Sequence, residues 1–341
     1  MIFLASCTQY IEEAEAALCP IENQHYISSL VAGHGMSMVV MEDSSLWAWG
    51  NNSQGEIGNG ATDFVPLPTL IMTNVKMASS AFGRTAAVGF DGSLWMWGNN
   101  AGGLYGNGTT EDSLYPVKIM DDVLFVSVGD THTAIIKVDN SLWVWGAHNQ
   151  ASYLDNMFPR VPTRVMENVI YVSAGFSGHT MAITYDLGLW TWGFNYSGEL
   201  GIGEVHGNIY LPPVKVMDNV VQVVAGSEIT SALTSDGYLW SWGNNQVGAV
   251  GDGTRNNQWY PIIIMSNVRY ISLTSAITKD DIMWAWGMRI FNDGTSIVYE
   301  YPTQVAENVA MMSSMSNALI KTNDGALWLW ESAYTLRAFD N

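Results

Sequence analysis

The sequence is poor in cysteine and in positive charge. Its 341 residues include two cysteines, Cys7 and Cys19, so no disulfide framework can hold the fold together. Thirteen lysines and arginines face 32 aspartates and glutamates, and charged residues make up only 13% of the chain. The net charge of −19 would repel a polyanion, and no local basic patch occurs. These shortages argue against nucleic acid or an anionic membrane as the main partner.

Long apolar runs and catalytic motifs are also missing. No stretch approaches the ~20 apolar residues that a membrane-spanning helix requires. The chain has no Gly-x-Ser-x-Gly nucleophile elbow, no His-Glu-x-x-His zinc motif, no phosphate-binding Walker loop and no Cys-x-x-Cys pair. We therefore expect a protein that is not an enzyme and that needs no metal or cofactor.

Tryptophan, by contrast, is abundant and regularly placed. An apolar residue followed by Trp-x-Trp recurs seven times, at steps of 44 to 50 residues, and this motif uses fourteen of the fifteen tryptophans. A fixed period of this size indicates one supersecondary unit copied along the chain. The fourteen repeat residues are Trp47, Trp49, Trp95, Trp97, Trp143, Trp145, Trp190, Trp192, Trp240, Trp242, Trp284, Trp286, Trp328 and Trp330.

Each copy predicts four short β-strands. In the fourth copy, residues 172–175, 179–184, 189–193 and 214–217 are runs of apolar and β-branched residues bounded by turn formers. Six copies have a Pro seven residues before a Val. Because Pro cannot donate a ladder hydrogen bond, we expect it to begin an outer edge strand. Cations two residues beyond the Pro position would protect that edge from pairing, and they are Lys118, Arg164, Lys215 and Arg337.

The tryptophan strand predicts how the copies stack. Side chains alternate along a strand, so the two indoles share one face while smaller residues such as Ala48 and Thr191 occupy the other. The large face of one copy can then pack on the small face of the next. Four-stranded sheets stacked around an axis form a β-propeller. We therefore expect an all-β, seven-bladed β-propeller of four-stranded antiparallel blades over residues 25–341, after an N-terminal tail over residues 1–24.

The loop after the tryptophan strand carries a family resemblance. It reads Trp-Gly-Asn-Asn and then Gly-x-Leu-Gly-x-Gly or close variants in residues 50–60, 98–108 and 243–253, and His-Thr pairs at His132 and His179 lie upstream. This pattern resembles the repeat of the regulator-of-chromosome-condensation family over about residues 26–341. The resemblance implies a seven-bladed propeller in which the two histidines are buried and hydrogen-bonded.

The resemblance leaves the function open, because fold alone does not confer it. We expect a non-catalytic, monomeric, bacterial-type module that binds a protein, at the cell envelope or outside the cell rather than in the cytoplasm. One alternative is a guanine-nucleotide exchange factor for a small GTPase, as the founding eukaryotic member is. A further alternative is a secreted propeller that binds carbohydrate or inhibits an enzyme. No exchange residue is carried over, since the chain has neither a basic tail nor a large insertion between repeats.

The N-terminal tail has two interpretations. Residues 1–7 resemble the end of a bacterial lipoprotein signal, in which case Cys7 would carry a lipid anchor. The alternative is an ordinary tail, with a short helix over residues 11–18, where the composition favours helix.

Binding residues are expected where the repeat breaks its pattern. The loops at residues 147–160, 288–294 and 331–334 depart from the glycine-rich sequence, and loops on a rigid scaffold commonly carry binding. Repeat decay without function is the alternative. Trp259 is the one tryptophan outside the motif, and we interpret it either as an exposed binding residue or as packing on the adjacent blade. The candidate partner-binding residues are Trp259, His148, Tyr153, Phe158, Arg160, Arg289, Phe291 and Tyr334.

Overall fold

The chain forms a ring of seven antiparallel sheets, each of four consecutive strands. A computed structural model describes residues 27–33, 35–146, 159–290, 296–313, 318–332 and 335–338. The sheets are called blades 1 to 7 in chain order. The predicted seven-bladed β-propeller is therefore confirmed. None of the described residues belongs to a helix long and apolar enough to cross a bilayer.

The strand bounds are as follows. Blade 1 contains β1 (Ile27–Ala32), β2 (Met36–Met41), β3 (Leu46–Gly50) and β4 (Val65–Met72), and blade 2 contains β5 (Val75–Ala81), β6 (Arg84–Gly89), β7 (Leu94–Gly98) and β8 (Ser113–Met120). Blade 3 contains β9 (Val123–Val128), β10 (His132–Lys137), β11 (Leu142–Gly146) and β12 (Thr163–Met166), and blade 4 contains β13 (Val169–Ala174), β14 (His179–Thr184), β15 (Leu189–Asn195) and β16 (Gly207–Met217). Blade 5 contains β17 (Val220–Ala225), β18 (Ile229–Thr234), β19 (Leu239–Gly243) and β20 (Gln258–Met265). Blade 6 contains β21 (Val268–Ile271), β22 (Ser275–Thr278), β23 (Met283–Ile290) and β24 (Ser296–Ala306), and blade 7 contains β25 (Val309–Met312), β26 (Ala318–Thr322), β27 (Leu327–Ser332) and β28 (Thr335–Ala338).

Within each blade the first strand is innermost and the fourth is outermost, as expected. The ring closes by packing of blade 7 on blade 1, because each of them already has four strands of its own. Leu319 and Leu327 of blade 7 belong to the same buried cluster as Val39 of blade 1. In addition, Lys321 Nζ donates a hydrogen bond to the Ile27 carbonyl at 3.0 Å.

The expected role of the Pro residues is wrong in detail. Only β12 begins directly after its Pro, whereas β8 begins at Ser113 and contains Pro116. The ladder between β7 and β8 pairs Met96 with Val117 and Gly98 with Ser113, so the outer strand bulges around its Pro. A bulge leaves residues unpaired, and therefore a Pro inside it removes no ladder hydrogen bond.

The second tryptophan of each described motif is buried between blades. It exposes 0 to 7% of its surface at Trp49, Trp97, Trp145, Trp192, Trp242 and Trp286, and the side chain of Trp330 lies outside the described residues. The first tryptophan is only half-buried in all seven copies. Trp97 of blade 2 packs into a cluster with Ala48 of blade 1, which confirms the predicted packing of large on small faces.

A repeated pair of hydrogen bonds fixes these indoles. Trp97 Nε1 and Thr85 Oγ1 of blade 2 both donate to the Glu56 carbonyl in the loop of blade 1, at 2.9 and 2.7 Å. We call this arrangement the Thr–Trp clamp. It recurs on two further loop carbonyls, from Thr133 and Trp145 to Leu104 and from Thr230 and Trp242 to Glu199. Each clamp joins one blade to the glycine-rich loop of the blade before it.

Blade 4 departs from the clamp. Trp192 Nε1 is buried and has no hydrogen-bond partner among the described residues. Thr180 Oγ1 instead pairs with His132 Nε2 at 2.8 Å. The matching loop of blade 3 falls in residues 147–158, which lie outside the described ranges.

The two motif histidines differ in their surroundings. His132 is buried and pairs with Thr180, which confirms its expected structural role. His179 is buried as well, but neither ring nitrogen has a partner among the described residues, so the expected hydrogen bond is absent there. Burial lowers the pKa of His179 to about 4. The imidazole is therefore neutral in the folded protein at neutral pH.

We expect the Thr–Trp clamp to be measurable as a difference between two tryptophans. Trp242→Phe removes an indole that donates to Glu199, whereas Trp192→Phe removes one without a described acceptor. Both changes delete the same volume, so Trp242→Phe should cost about 1 kcal/mol more in the free energy of unfolding. Urea denaturation of both variants measures this difference. Equal losses, or a larger loss at Trp192, would show that the clamp does not stabilise the interface.

The free energy of unfolding should fall in acid because of His179. An unfolded histidine has a pKa near 6.5, while that of folded His179 is about 4. Between these two pKa values, His179 is protonated in the unfolded chain but not in the folded one. The free energy of unfolding therefore decreases by about 3 kcal/mol as the pH falls from 7 to 4. His179→Leu should show a correspondingly shallower pH dependence in urea denaturation. A slope in His179→Leu parallel to that of the wild type would disprove the assignment.

Candidate functional site

The outer strand of blade 5 exposes a cluster of large apolar side chains. Trp259, Tyr260 and Ile263 of β20 are 46, 63 and 53% exposed. We call these three residues the blade 5 platform. Strand β20 pairs only with β19, so its other edge is unpaired within the blade. The platform therefore combines exposed apolar surface with a strand edge that is unpaired within its own blade.

The corresponding edges of three other blades are charged. Lys118, Arg164 and Lys215 stand opposite the first tryptophan of blades 2, 3 and 4. Each pairs with an acidic residue three positions later, at 2.8, 3.2 and 2.6 Å. Ile263 stands opposite Trp240 in the same register of blade 5. The cation found on the edges of blades 2, 3 and 4 is thus replaced in blade 5 by an exposed aliphatic side chain.

The platform residues are held by the loop of blade 4. The Gly203 amide donates to the Trp259 carbonyl at 2.8 Å. Gly198 has φ +89, and a methyl group built on it would lie 2.7 Å from Trp259 Cδ1, so the indole rests directly on this glycine. Tyr260 covers Gly203 in the same way. The ring therefore packs on the adjacent blade and keeps nearly half its surface exposed, and its role in binding stays a prediction.

Tyrosines of this kind are a repeat feature that the sequence reasoning missed. Tyr115 covers Gly60, and Tyr301 covers Gly253, each on the loop of the preceding blade. The signal was available, since Tyr-Pro occurs at the corresponding position of three copies. Trp259 differs from its counterparts in these blades, Leu114 and Glu300, and this substitution sets blade 5 apart.

The other candidate binding residues are only partly described. Arg160 is exposed, lies over Gly103 of blade 2, and accepts a hydrogen bond from the Gly108 amide at 2.9 Å. It occupies in blade 3 the position that Trp259 occupies in blade 5. The backbone of Arg289 pairs with Ile297 in blade 6. The remaining candidates lie outside the described residues, and they are His148, Tyr153, Phe158, Phe291 and Tyr334. Their grouping with Trp259 stays a prediction.

The acidic residues of the loops serve the loops themselves. Asp252 accepts hydrogen bonds from Asn245 Nδ2 at 2.9 Å and from Gln258 Nε2 at 2.6 Å. Glu199 is fully buried and accepts from the Tyr196 and Ser197 amides. Among the described residues, no group of three His, Cys, Asp or Glu side chains could hold a metal ion. These carboxylates therefore order the loops on which the outer strands rest.

Comparisons with known proteins agree with this geometry. The family model described as the regulator of chromosome condensation (RCC1) repeat matches residues 43–88, 91–136, 188–233 and 236–276, which together exceed half of the chain. A second model with that description matches residues 220–249. A search of curated proteins found no sequence match.

Solved structures show the same fold at low identity. Prp20p of Saccharomyces cerevisiae, described with its binding properties to Gsp1p and histones, is similar at a TM-score of 0.69 and 19% identity, over 86% of this chain and 81% of that one. Human WBSCR16 is similar at a TM-score of 0.73 and 18% identity, over 87% and 95%. Yeast RCC1 (Prp20) bound to Kap60 is similar at 0.71 and 19%, over 88% and 81%.

We expect Gly198 and Trp259 to be energetically coupled. Gly198→Ala should destabilise the protein because the position has a positive φ and because the added methyl group collides with the indole. The control Gly108→Ala has a similar φ of +84 but no atom near the added methyl group, so it should show the conformational cost alone. In a double-mutant cycle measured by urea denaturation, Trp259→Ala should relieve the collision and give a coupling of about 1 kcal/mol. Additive effects would mean that the ring does not rest on Gly198.

Proposed function

Because the chain belongs to the regulator of chromosome condensation (RCC1) repeat family, we propose that it is a non-catalytic module that binds a protein through the outer edge of blade 5. The observation that carries this proposal is the blade 5 platform, where Trp259, Tyr260 and Ile263 are exposed together on one edge strand. Aromatic residues are enriched in the centres of protein interfaces. Tryptophan and tyrosine are also the residues most often found to dominate binding energy.

The support of the platform favours tight binding. Trp259 and Tyr260 lie against glycines of the blade 4 loop, and that loop is joined to blade 5 by the Thr–Trp clamp on Glu199. Side chains that are already held in place lose little conformational entropy when a partner binds. The entropic cost of ordering the exposed rings on binding is therefore small.

The outer edge of β20 suggests the conformation of the bound segment. Strand β20 is eight residues long and pairs with one neighbour only. An exposed sheet edge can accept an extended segment of another protein as an added strand. The ion-paired cations on blades 2, 3 and 4 oppose such pairing, whereas blade 5 has none at this position. We therefore expect an extended segment with apolar side chains to lie along β20.

The overall charge indicates the character of the partner. The net charge of −19 would attract a basic protein and repel an acidic one. Yeast Prp20p, of the same fold, is described as binding Gsp1p and histones, and this supports protein binding by such propellers. The exchange-factor alternative rests on that likeness alone, and the described residues add no observation that favours it over a binding module.

The proposal can be tested by giving blade 5 the cation of its neighbours. Ile263→Lys should prevent partner binding and leave the melting temperature nearly unchanged, since the position is exposed. Trp259→Ala should weaken binding by at least about 2 kcal/mol, as expected of a dominant interface residue. Proteins captured from extracts of the source cell by the wild-type chain would be identified by mass spectrometry, and their affinities measured by calorimetry.

Leu70→Lys is the matched control for this test. Leu70 stands opposite Trp47 in the same register of blade 1 and is 48% exposed, but no aromatic pair precedes it. We expect this variant to keep full affinity for every captured partner. If Ile263→Lys binds as well as the wild type, or if Leu70→Lys weakens binding equally, the outer edge of blade 5 is not the binding surface.

A further inference from the structure

The inner strands of the propeller enclose a cavity on the ring axis. It measures about 740 Å³ and is lined by the first strands of blades 1 to 6 with the residues that follow them. Small-molecule sites commonly have volumes of about 300 to 1,000 Å³. The cavity lies at the opposite side of the blades from the blade 5 platform, since first strands are innermost and fourth strands outermost. A ligand here would therefore be independent of the proposed protein partner.

The described part of the cavity wall carries no charged side chain, although the protein is strongly acidic. The chain contains 32 aspartates and glutamates, yet no Asp, Glu, Lys, Arg or His is among the described residues that line the cavity. A charged ligand would lose its hydration without gaining a counter-charge there, which is costly. The wall chemistry therefore excludes phosphates, carboxylates and amines as preferred ligands.

Serine hydroxyls on successive inner strands form a row of hydrogen-bond donors. Ser79 Oγ accepts the Val128 amide at 3.1 Å, and Ser127 Oγ accepts the Ala174 amide at 2.9 Å. Ser173 Oγ accepts the amide of the next blade in the same way. Each hydroxyl is thereby oriented and still has its own proton to donate. No acceptor for these protons occurs among the described residues, so they are available to a ligand in the cavity.

Aromatic rings line the same wall. The rings of Phe125 and Tyr171 lie with their centroids 5.0 Å apart, and Tyr270 of blade 6 lines the cavity as well. Burial raises the pKa of the Tyr171 hydroxyl, and the pKa of the partly exposed Tyr270 hydroxyl is raised in the same direction. Both phenols therefore stay protonated at physiological pH and can donate a hydrogen bond. The cavity thus offers apolar ring faces beside uncharged hydroxyl donors.

We propose that this central cavity binds a neutral mono- or disaccharide. A sugar ring presents an apolar C–H face, which would pack on Phe125 and Tyr171, and a rim of hydroxyl and ether oxygens, which would accept from the serine and tyrosine hydroxyls. An aliphatic ligand would leave these donors unsatisfied, and a charged one would lack a counter-charge. An uncharged, oxygen-rich ligand with an apolar face satisfies both parts of the wall.

Saturation-transfer NMR on the full chain tests this proposal. The probes are glucose, galactose, mannose, N-acetylglucosamine, maltose and lactose, with glucose 6-phosphate as a charged comparison. We expect at least one neutral sugar to receive saturation and to bind with a dissociation constant in the millimolar range or tighter, and the charged sugar to bind more weakly. No saturation of any neutral sugar at about 10 mM would overturn the proposal.

Phenol deletions locate the site. The double variant Tyr171→Phe, Tyr270→Phe keeps both rings and removes only the hydroxyls, so it should fold normally and bind the sugar about tenfold more weakly. Tyr115→Phe and Tyr260→Phe alter outer-strand tyrosines and should bind as the wild type does. A melting temperature equal to that of the wild type confirms folding. Unchanged binding in the double variant, or loss of binding in Tyr260→Phe or Trp259→Ala, would place the sugar elsewhere and refute the cavity site.

Discussion

The fold depends on the buried indoles that lie between neighbouring blades. In blades 2, 3, 5 and 6 the Nε1 of the second tryptophan donates to a carbonyl in the loop of the blade before it, as Trp242 does to Glu199, whereas Trp192 of blade 4 has no described acceptor. A buried indole N–H without an acceptor would cost free energy. Because a threonine donates to the same carbonyl, the loop, the inner half of the sheet and the indole become one unit. The same hydrogen bonds therefore fix both the stacking of the blades and the conformation of the loops.

The Thr–Trp clamp also supports the outer surface of the propeller. The loop that the clamp fixes is the loop on which the following outer strand rests, through Gly198 and Gly203 in blade 4. Trp259 and Tyr260 are consequently supported from below while their outer faces remain free. On the axis, Ser79, Ser127 and Ser173 each join one inner strand to the next by accepting a backbone amide. The same repeat thus supplies a rigid edge outside and a donor-lined cavity inside.

Sequence reasoning succeeded for features that depend on neighbours along the chain. Strand number, the two faces of the tryptophan strand and the edge position of Lys215 all follow from periodicity, alternation and local composition. It failed for features that depend on contacts with parts of the chain that are distant in sequence. Apart from Pro162, the repeated Pro residues fall within the outer strands rather than before them, as Pro116 does in the bulged β8, and His179 lacks the hydrogen bond that His132 makes. The absence of a cation at Ile263 was visible in the sequence, but its meaning needed the register that sets Ile263 opposite Trp240, where blades 2, 3 and 4 have a cation.

The sequence by itself determined the seven copies, their four strands and the order in which they stack. Each of these properties depends on the residue pattern within one repeat, and that pattern recurs in the next repeat. Tertiary structure alone decided which edge is exposed and what lines the axis. Trp259 meets Gly198 across two blades, and Ser127 meets the Ala174 amide 47 residues away. Contacts of this kind arise only when the ring closes, since no local pattern specifies which side chain of one blade will face a given atom of the next.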